Sequence, residues 1–141
     1  MAAIRGNRQV SGTWGQFWWD GELIAEVEAF EAKVTPKREE FQIDMDIDST
    51  LQGLAGEGTF TLKKIFTRGK DKLLEAWKNG EDPRSSFIGK NKNGKQSERV
   101  SIGNVWFNDL VLIQFEKGTP CKEEFSFGFT PSDASFIDKI A

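Results

Sequence analysis

The chain has 141 residues, a formal net charge of −3, 38% hydrophobic and 29% charged residues, which fits one domain of ordinary globular composition. It has no histidine and a single cysteine, Cys121, which removes the commonest general base, any internal disulfide and any cysteine-based zinc cluster. No apolar run approaches the ~20 residues that cross a bilayer, and residues 1–10 carry Arg5 and Arg8 without a signal-peptide core, so a reducing cytoplasm is the expected place of synthesis.

The dominant period along the chain is two. Residues 14–20 read as a strand ending at Asp20-Gly21, the strongest short hairpin signal. A long strand follows over 22–35. Its apolar parity switches near Ala29-Phe30, which predicts a β-bulge. Phe41, Ile43, Met45 and Ile47 alternate with Gln42, Asp44, Asp46 and Asp48, the pattern of a half-buried strand. Residues 60–66 read as a further strand, entered through the stretch carrying Gly53, Gly56 and Gly58. One helix is predicted next, capped by Thr67, with Leu73, Leu74 and Trp77 as its apolar stripe and Gly80 as its stop. Strands over 85–90 and 98–107 flank a turn at Asn93-Gly94. A second hairpin at Asn108-Asp109 leads into a strand over 110–115. Phe125, Phe127 and Phe129 alternate with polar or small residues in a strand that Pro131 ends, and 132–141 reads as a terminal turn of helix. About eight strands and one helix predict a mainly β domain spanning 1–141. The expected architecture is a β-sandwich or partly closed β-barrel with one flanking α-helix.

No catalytic, cofactor or metal constellation emerges. Asp44, Asp46 and Asp48 superficially resemble the start of a calcium loop, but Ser49 and Ala55 stand where that loop needs Gly and Glu. As a strand, the segment presents three carboxylates on one face. That row reads either as a charge-protected edge or as an acidic wall lining a channel. Phe17, Trp18 and Trp19 put large aromatics on both faces of one strand, and Trp106-Phe107 repeats the arrangement. Trp18, Trp19 and Trp106 are therefore core residues or candidates for a subunit interface. Gly53, Gly56 and Gly58 fit no phosphate-binding fingerprint and read as a flexible connection that becomes ordered in an assembly, a second interface candidate. The basic run Lys63, Lys64, Arg68, Lys70 and Lys72 lacks a nucleic-acid motif and reads as a solvated or subunit-facing surface. Residues 20–57 hold 11 acidic and 3 basic side chains, whereas 63–99 hold 11 basic and 5 acidic. Such a division suits either head-to-tail docking between copies or two separately solvated surfaces.

Several stretches resemble the core tail, or tail tube, proteins of contractile phage-like elements of the PBSX type. They are Val10-Ser11-Gly12, Phe17-Trp18-Trp19-Asp20-Gly21-Glu22, Phe30-Glu31-Ala32-Lys33-Val34, Gly56-Glu57-Gly58-Thr59-Phe60-Thr61-Leu62, Asp82-Pro83, Glu98-Arg99-Val100 and Glu123-Glu124-Phe125-Ser126-Phe127. Their order and the overall length carry the resemblance across nearly the whole chain. It implies a non-enzymatic β-barrel-like subunit without cofactors, six copies to a ring, with rings stacked into a hollow tube. The implied partners are a sheath protein and baseplate or initiator proteins, with DNA passing through the lumen where a genome is carried. Assembly in the bacterial cytoplasm, followed by export in a virion or released tail particle, is the implied itinerary. Asp44, Asp46 and Asp48 are the lumen-facing candidates. Related architectures left open are the tube of a type VI-like secretion system and that of a non-contractile tail. Outside this class the rivals are a monomeric carbohydrate-binding β-sandwich and a small barrel enzyme.

Overall fold

The computed structural model describes residues 6–93 and 96–140, so the turn expected at Asn93-Gly94 lies partly outside the described residues. Strand β1 (Gln16–Trp19) turns at Asp20-Gly21 into the short strand β2 (Glu22–Leu23). Both turn residues have positive φ, 51° and 84°, the type I′ pattern whose twist matches the flanking strands. The single strand expected over 22–35 is broken. After β2 the chain drops Ile24 into the core, turns, and starts β3 (Val27–Ile43). A register shift between Val27 and Ala29 re-aims β3, so the predicted bulge exists slightly earlier than Ala29-Phe30.

Strand β4 (Asp46–Lys63) returns antiparallel along the whole of β3. Helix α1 (Lys70–Lys78) follows. Thr67 does not cap it with its side chain: Gly69, at φ 77°, occupies the N-cap position, and the Thr67 carbonyl accepts from the Lys70 amide. Gly80 does stop it. The Gly80 and Glu81 amides donate back to the Trp77 and Ala76 carbonyls at 3.0 and 2.9 Å, a Schellman closure that needs the positive φ of Gly80. Strands β5 (Ser85–Asn93) and β6 (Gln96–Phe107) form the predicted pair, longer than read from sequence. The strand expected over 110–115 is absent, and residues 108–121 form an irregular loop before β7 (Lys122–Phe129). The expected terminal helix is a 3-10 turn at Pro131–Asp133 followed by strand β8 (Ala134–Asp138).

The strand order is β2-β1-β5-β6-β7-β4-β3, with β8 also paired to β6. The path curls around one core without closing, which is the predicted mainly β, partly closed barrel with one helix. Phenylalanine fills that core. Phe17, Phe60, Phe87, Phe125, Phe127 and Phe129 are each at most 3% exposed. Phe60 stacks on Phe125 at 4.8 Å and meets Phe87 edge-on at 5.5 Å, the offset and perpendicular arrangements that ring quadrupoles favour. Each such burial stabilises by roughly 1.5–3 kcal/mol. A cavity of about 570 Å³ is lined by residues of β3, β1, β5 and β6, with Phe30 of β3 reaching across to stack on Phe17 of β1 at 4.8 Å.

Candidate assembly surface

Beyond Gly56, β4 loses its second neighbour: β7 ends at Phe129, opposite Gly56. From there the β3–β4 hairpin continues as a two-stranded arm, pairing Thr35 with Ala55 and, at its end, Ile43 with Asp46. At ~3.3 Å per residue, this ribbon projects roughly 30 Å from the body. Its side chains are largely in solvent. Val34, Phe41, Ile43, Ile47, Leu51 and Leu54 are 44–70% exposed, and Met45 at the tip is 94% exposed.

The arm corrects the reading of residues 41–48 as one strand. Asp44 has φ 52° and, with Met45, makes the turn between β3 and β4. Asp is among the few residue types that tolerate this left-handed φ. A two-residue turn pairs Ile43 with Asp46 and Phe41 with Asp48. Directly opposed residues share a face, so Phe41 and Ile43 lie beside Asp46 and Asp48. Ile47 lies on the other face with Gln42. The three carboxylates are therefore not one row. The Asp48 carboxylate also accepts from the Ser49 amide at 2.7 Å, and Gln42 Nε2 donates to the Asp44 carbonyl at 2.9 Å.

Gly53, Gly56 and Gly58 lie inside β4 and not in a flexible connection. Two of them are needed within the chain. A Cβ on Gly58 would stand 2.3 Å from the Glu31 carbonyl oxygen and 2.4 Å from the Phe127 ring. One on Gly56 would stand 2.6 Å from both the ring and the carbonyl of Phe129. Phe127 and Phe129 are the cross-strand partners of these glycines, so each ring lies flat over a position without a side chain. Gly53 has open space around it.

The tryptophans divide. Trp19 turns inward and meets Phe60, Phe87, Phe107 and Phe125. Trp18 lies on the opposite face of β1, half-buried, with the Arg99 guanidinium 5.5 Å from its ring. Trp106 is also half-buried; its ring covers Gly128, its Nε1 donates to Asn108 Oδ1 at 3.1 Å, and Arg84 lies 4.9 Å from the ring.

The basic run is partly spent inside the chain. Lys70 and Glu123, both buried, form an ion pair, and Lys64 Nζ reaches the same carboxylate at 2.9 Å. Lys70 Nζ also donates to the Val111 and Leu112 carbonyls at 3.0 and 3.1 Å. That contact replaces the ladder bonds a strand over 110–115 would have made. Arg68 pairs with the buried Glu26 and reaches Glu22 at 2.7 Å. The guanidinium bond holds the Glu26 carboxyl below its ordinary range and raises Arg68 in turn. At Glu123 burial pushes upward, but the hydrogen bonds from Lys70 and Lys64 outweigh it and the pKa is lowered. These clamps tie residues 64–70 and the 108–121 loop together at the end of β4 opposite the arm. They were not read from sequence; acidic and basic partners up to 59 residues apart give no local signal.

No group of three or more metal-binding side chains occurs among the described residues, and no helix there is long and apolar enough to cross a membrane. Cys121 is a half-buried free thiol whose carbonyl accepts from the Lys64 amide at 2.9 Å.

Comparison with known proteins follows the same line. The family described as "Phage tail tube protein" matches residues 2–138. The chain is 26% identical to the Phage-like element PBSX protein XkdM of Bacillus subtilis (strain 168), covering 99% of this chain and 97% of that protein. It is 27% identical to YqbM of the same strain, covering 93% of each. Among solved structures, the tube terminating cap of the anti-feeding prophage superposes with a TM-score of 0.67 at 10% identity, covering 99% of this chain and 96% of the other. A chain of the PVC sheath-tube complex, an extracellular contractile injection system, gives 0.66 at 11% identity, covering 93% of each. These two likenesses establish a shared fold. The match over residues 2–138 establishes more: the chain belongs to the phage tail tube protein family.

Proposed function

We propose that this protein is the structural, non-enzymatic subunit of the inner tube of a contractile tail or tail-like particle, with six copies in each ring and rings stacked around a lumen. The observation that supports this most is the arm. A two-stranded ribbon without a third strand is marginal in water, yet this one extends from Thr35 and Ala55 to Ile43 and Asp46 with apolar side chains on both faces. It gains cover when it lies on another subunit. The free outer edge of β3 and the open cavity beside it supply a second unsatisfied surface, suited to lateral closure of a ring. Trp18, Trp106 and Gly53 remain proposed interface positions. Trp19, Gly56 and Gly58 have reasons within the chain, so an interface role for them is indirect. Asp44, Asp46 and Asp48 remain proposed lumen-facing positions, Asp44 in the turn at the arm's tip and Asp46 and Asp48 together on one face of the arm.

The implied partners are a sheath around the tube, a baseplate that starts it, and DNA passing without specific contacts where a genome is carried. Assembly takes place in the bacterial cytoplasm and the product leaves in a particle. Electron microscopy of the purified protein over a concentration series, with light scattering on the same samples, tests the reading. Hollow tubes of stacked rings are expected. A second reading is favoured by the superposition on a tube terminating cap: single rings that never stack would indicate a cap. A strict monomer at every concentration, also after seeding with baseplates, would overturn both.

A further inference from the structure

Strand β3 is an edge strand, and its edge is not uniform. The Lys63 amide donates to the Glu26 carbonyl at 3.0 Å, and the Lys64 amide to the Cys121 carbonyl at 2.9 Å. Such directions alternate along an antiparallel ladder. From Lys63 back to Ala55, odd-numbered residues of β4 therefore bond β3 and even-numbered ones bond β7. The Glu31 carbonyl agrees, since it stands against the position a Cβ on Gly58 would take. Phe30, Ala32, Val34 and Pro36 oppose the even residues Phe60, Gly58, Gly56 and Leu54. The first three turn N–H and C=O away from β4, as an added strand requires. Pro36 is next in that row and has no N–H to offer.

Past Pro36 the edge is defended. A register shift separates Lys37 from Arg38, and Lys37, Arg38, Glu39 and Glu40 are all exposed. Proline, a bulge and charge are the devices that keep edge strands from taking partners. From Ala29 to Thr35 there is neither proline nor register shift, and Phe30 and Ala32 line the cavity.

The complementary edge is β8, which among the described residues pairs with β6 alone. Phe136 opposes Val100, which lines the cavity, so the two share the inner face of that sheet. Phe136 is nevertheless 61% exposed. Strands β7 and β4 lie between β6 and β3, so β8 and β3 of one copy are kept apart. Two copies can bring them together.

We infer that Pro36 is a stop that sets the register between neighbours in a ring: β8 of one copy adds to β3 of the next along Phe30, Ala32 and Val34, and the addition ends at Pro36. The joint carries Phe136 to the neighbour's cavity and leaves the edge of the arm unpaired. This rests on the ring reading above and names the strands that meet in it. The two surfaces are unlike, so the contact repeats from copy to copy and closes when the rotation allows.

Residue-resolved amide hydrogen exchange on the full chain, as monomer and as assembled particles, tests this. The Ala32 and Val34 amides should slow at least about tenfold on assembly, while Lys33 and Thr35, already bonded to β4, are slow in both. Ala32→Pro removes the middle outward donor without touching a bond to β4, so it should abolish rings and leave the monomer's unfolding temperature in place. If that variant fails to fold, exchange on the unaltered chain decides. Pro36→Val restores the missing donor and should give irregular, thioflavin-binding aggregates in place of uniform rings. In a Cys121→Ser background, Lys33→Cys with Ser135→Cys, both exposed, should give a ladder of oligomers with a short bis-maleimide. Rings in which Ala32 and Val34 exchange as fast as in the monomer would overturn strand addition and leave the ring reading standing. Uniform rings from Pro36→Val would overturn the stop, and protection without the Lys33–Ser135 cross-link would overturn β8 as the added strand. A parent chain that stays monomeric even after seeding with baseplates would overturn the ring reading and this inference with it.

Discussion

At the scale of single residues, the aromatic core depends on what is missing opposite each ring. Phe127 and Phe129 lie over Gly58 and Gly56, so the rings reach the sheet surface itself. Gly58→Ala would drive a methyl into the Glu31 carbonyl and the Phe127 ring, and backbone cannot yield as a flexible side chain does. A loss of about 3 kcal/mol is expected, at the upper end for overpacking, whereas Gly53→Ala should be near neutral. Urea unfolding followed by tryptophan fluorescence would check both. The ion clamps give a second residue-scale prediction. Glu26 and Glu123 are lowered in the folded protein from the ordinary value of 4.5. A lowered carboxylate contributes its stability fully above the unfolded value and loses it as pH falls through the folded one. Thermal unfolding temperature should therefore hold at neutral pH and drop below about pH 4. Glu123→Gln should flatten that acid limb. It should also cost about 3 kcal/mol at pH 7, since it leaves the Lys70 ammonium buried without its counter-charge.

At the scale of elements, the arm and the 108–121 loop are where alternation misleads. Residues 41–48 keep a strict period of two, yet Asp44-Met45 folds that run back on itself. Alternation records neighbours one and two positions apart. It cannot distinguish one strand from two joined by a two-residue turn. Residues 110–115 fail for a different reason. Their apolar content reads as a strand, but the Lys70 ammonium takes the Val111 and Leu112 carbonyls and no strand pairs with them. Asp20-Gly21 and the Gly80 helix stop were legible because a positive φ narrows the choice of residue locally. The arm itself is expendable for folding, since its residues pack mainly on one another. Replacing residues 38–52 with Asn-Gly joins Lys37 to Gly53, which are already paired. The expected result is an unchanged unfolding temperature within about 2 °C on the usual size scaling, together with complete loss of tube formation by microscopy. Tubes of normal length from this variant would remove the arm from assembly.

At the scale of the whole molecule, charge and apolar surface are distributed by the direction of β4. Its start carries the acidic arm and its end leads into the clamped basic run. The linear charge asymmetry of the sequence thus becomes a polarity of the molecule, reduced where Glu22, Glu26 and Glu123 neutralise three of the cations. A chain with unlike ends, a free β3 edge and an unclosed barrel is poorly satisfied alone. That is the physical support for the proposed role as an assembly subunit.

The sequence by itself determined the class of this protein: a mainly β fold with a Phe-rich core, one helix, no histidine chemistry, and family membership carried by the order of short motifs along nearly the entire chain. These follow from composition, period and local turn geometry, which act between near neighbours. Only the tertiary structure decided that residues 35–55 leave the body as an arm, that the glycines of β4 serve the rings opposite them, and that part of the basic run is an internal clamp. Each of these depends on which strand lies beside which. Pairing across tens of residues is set by the packing of the whole core and leaves no local trace.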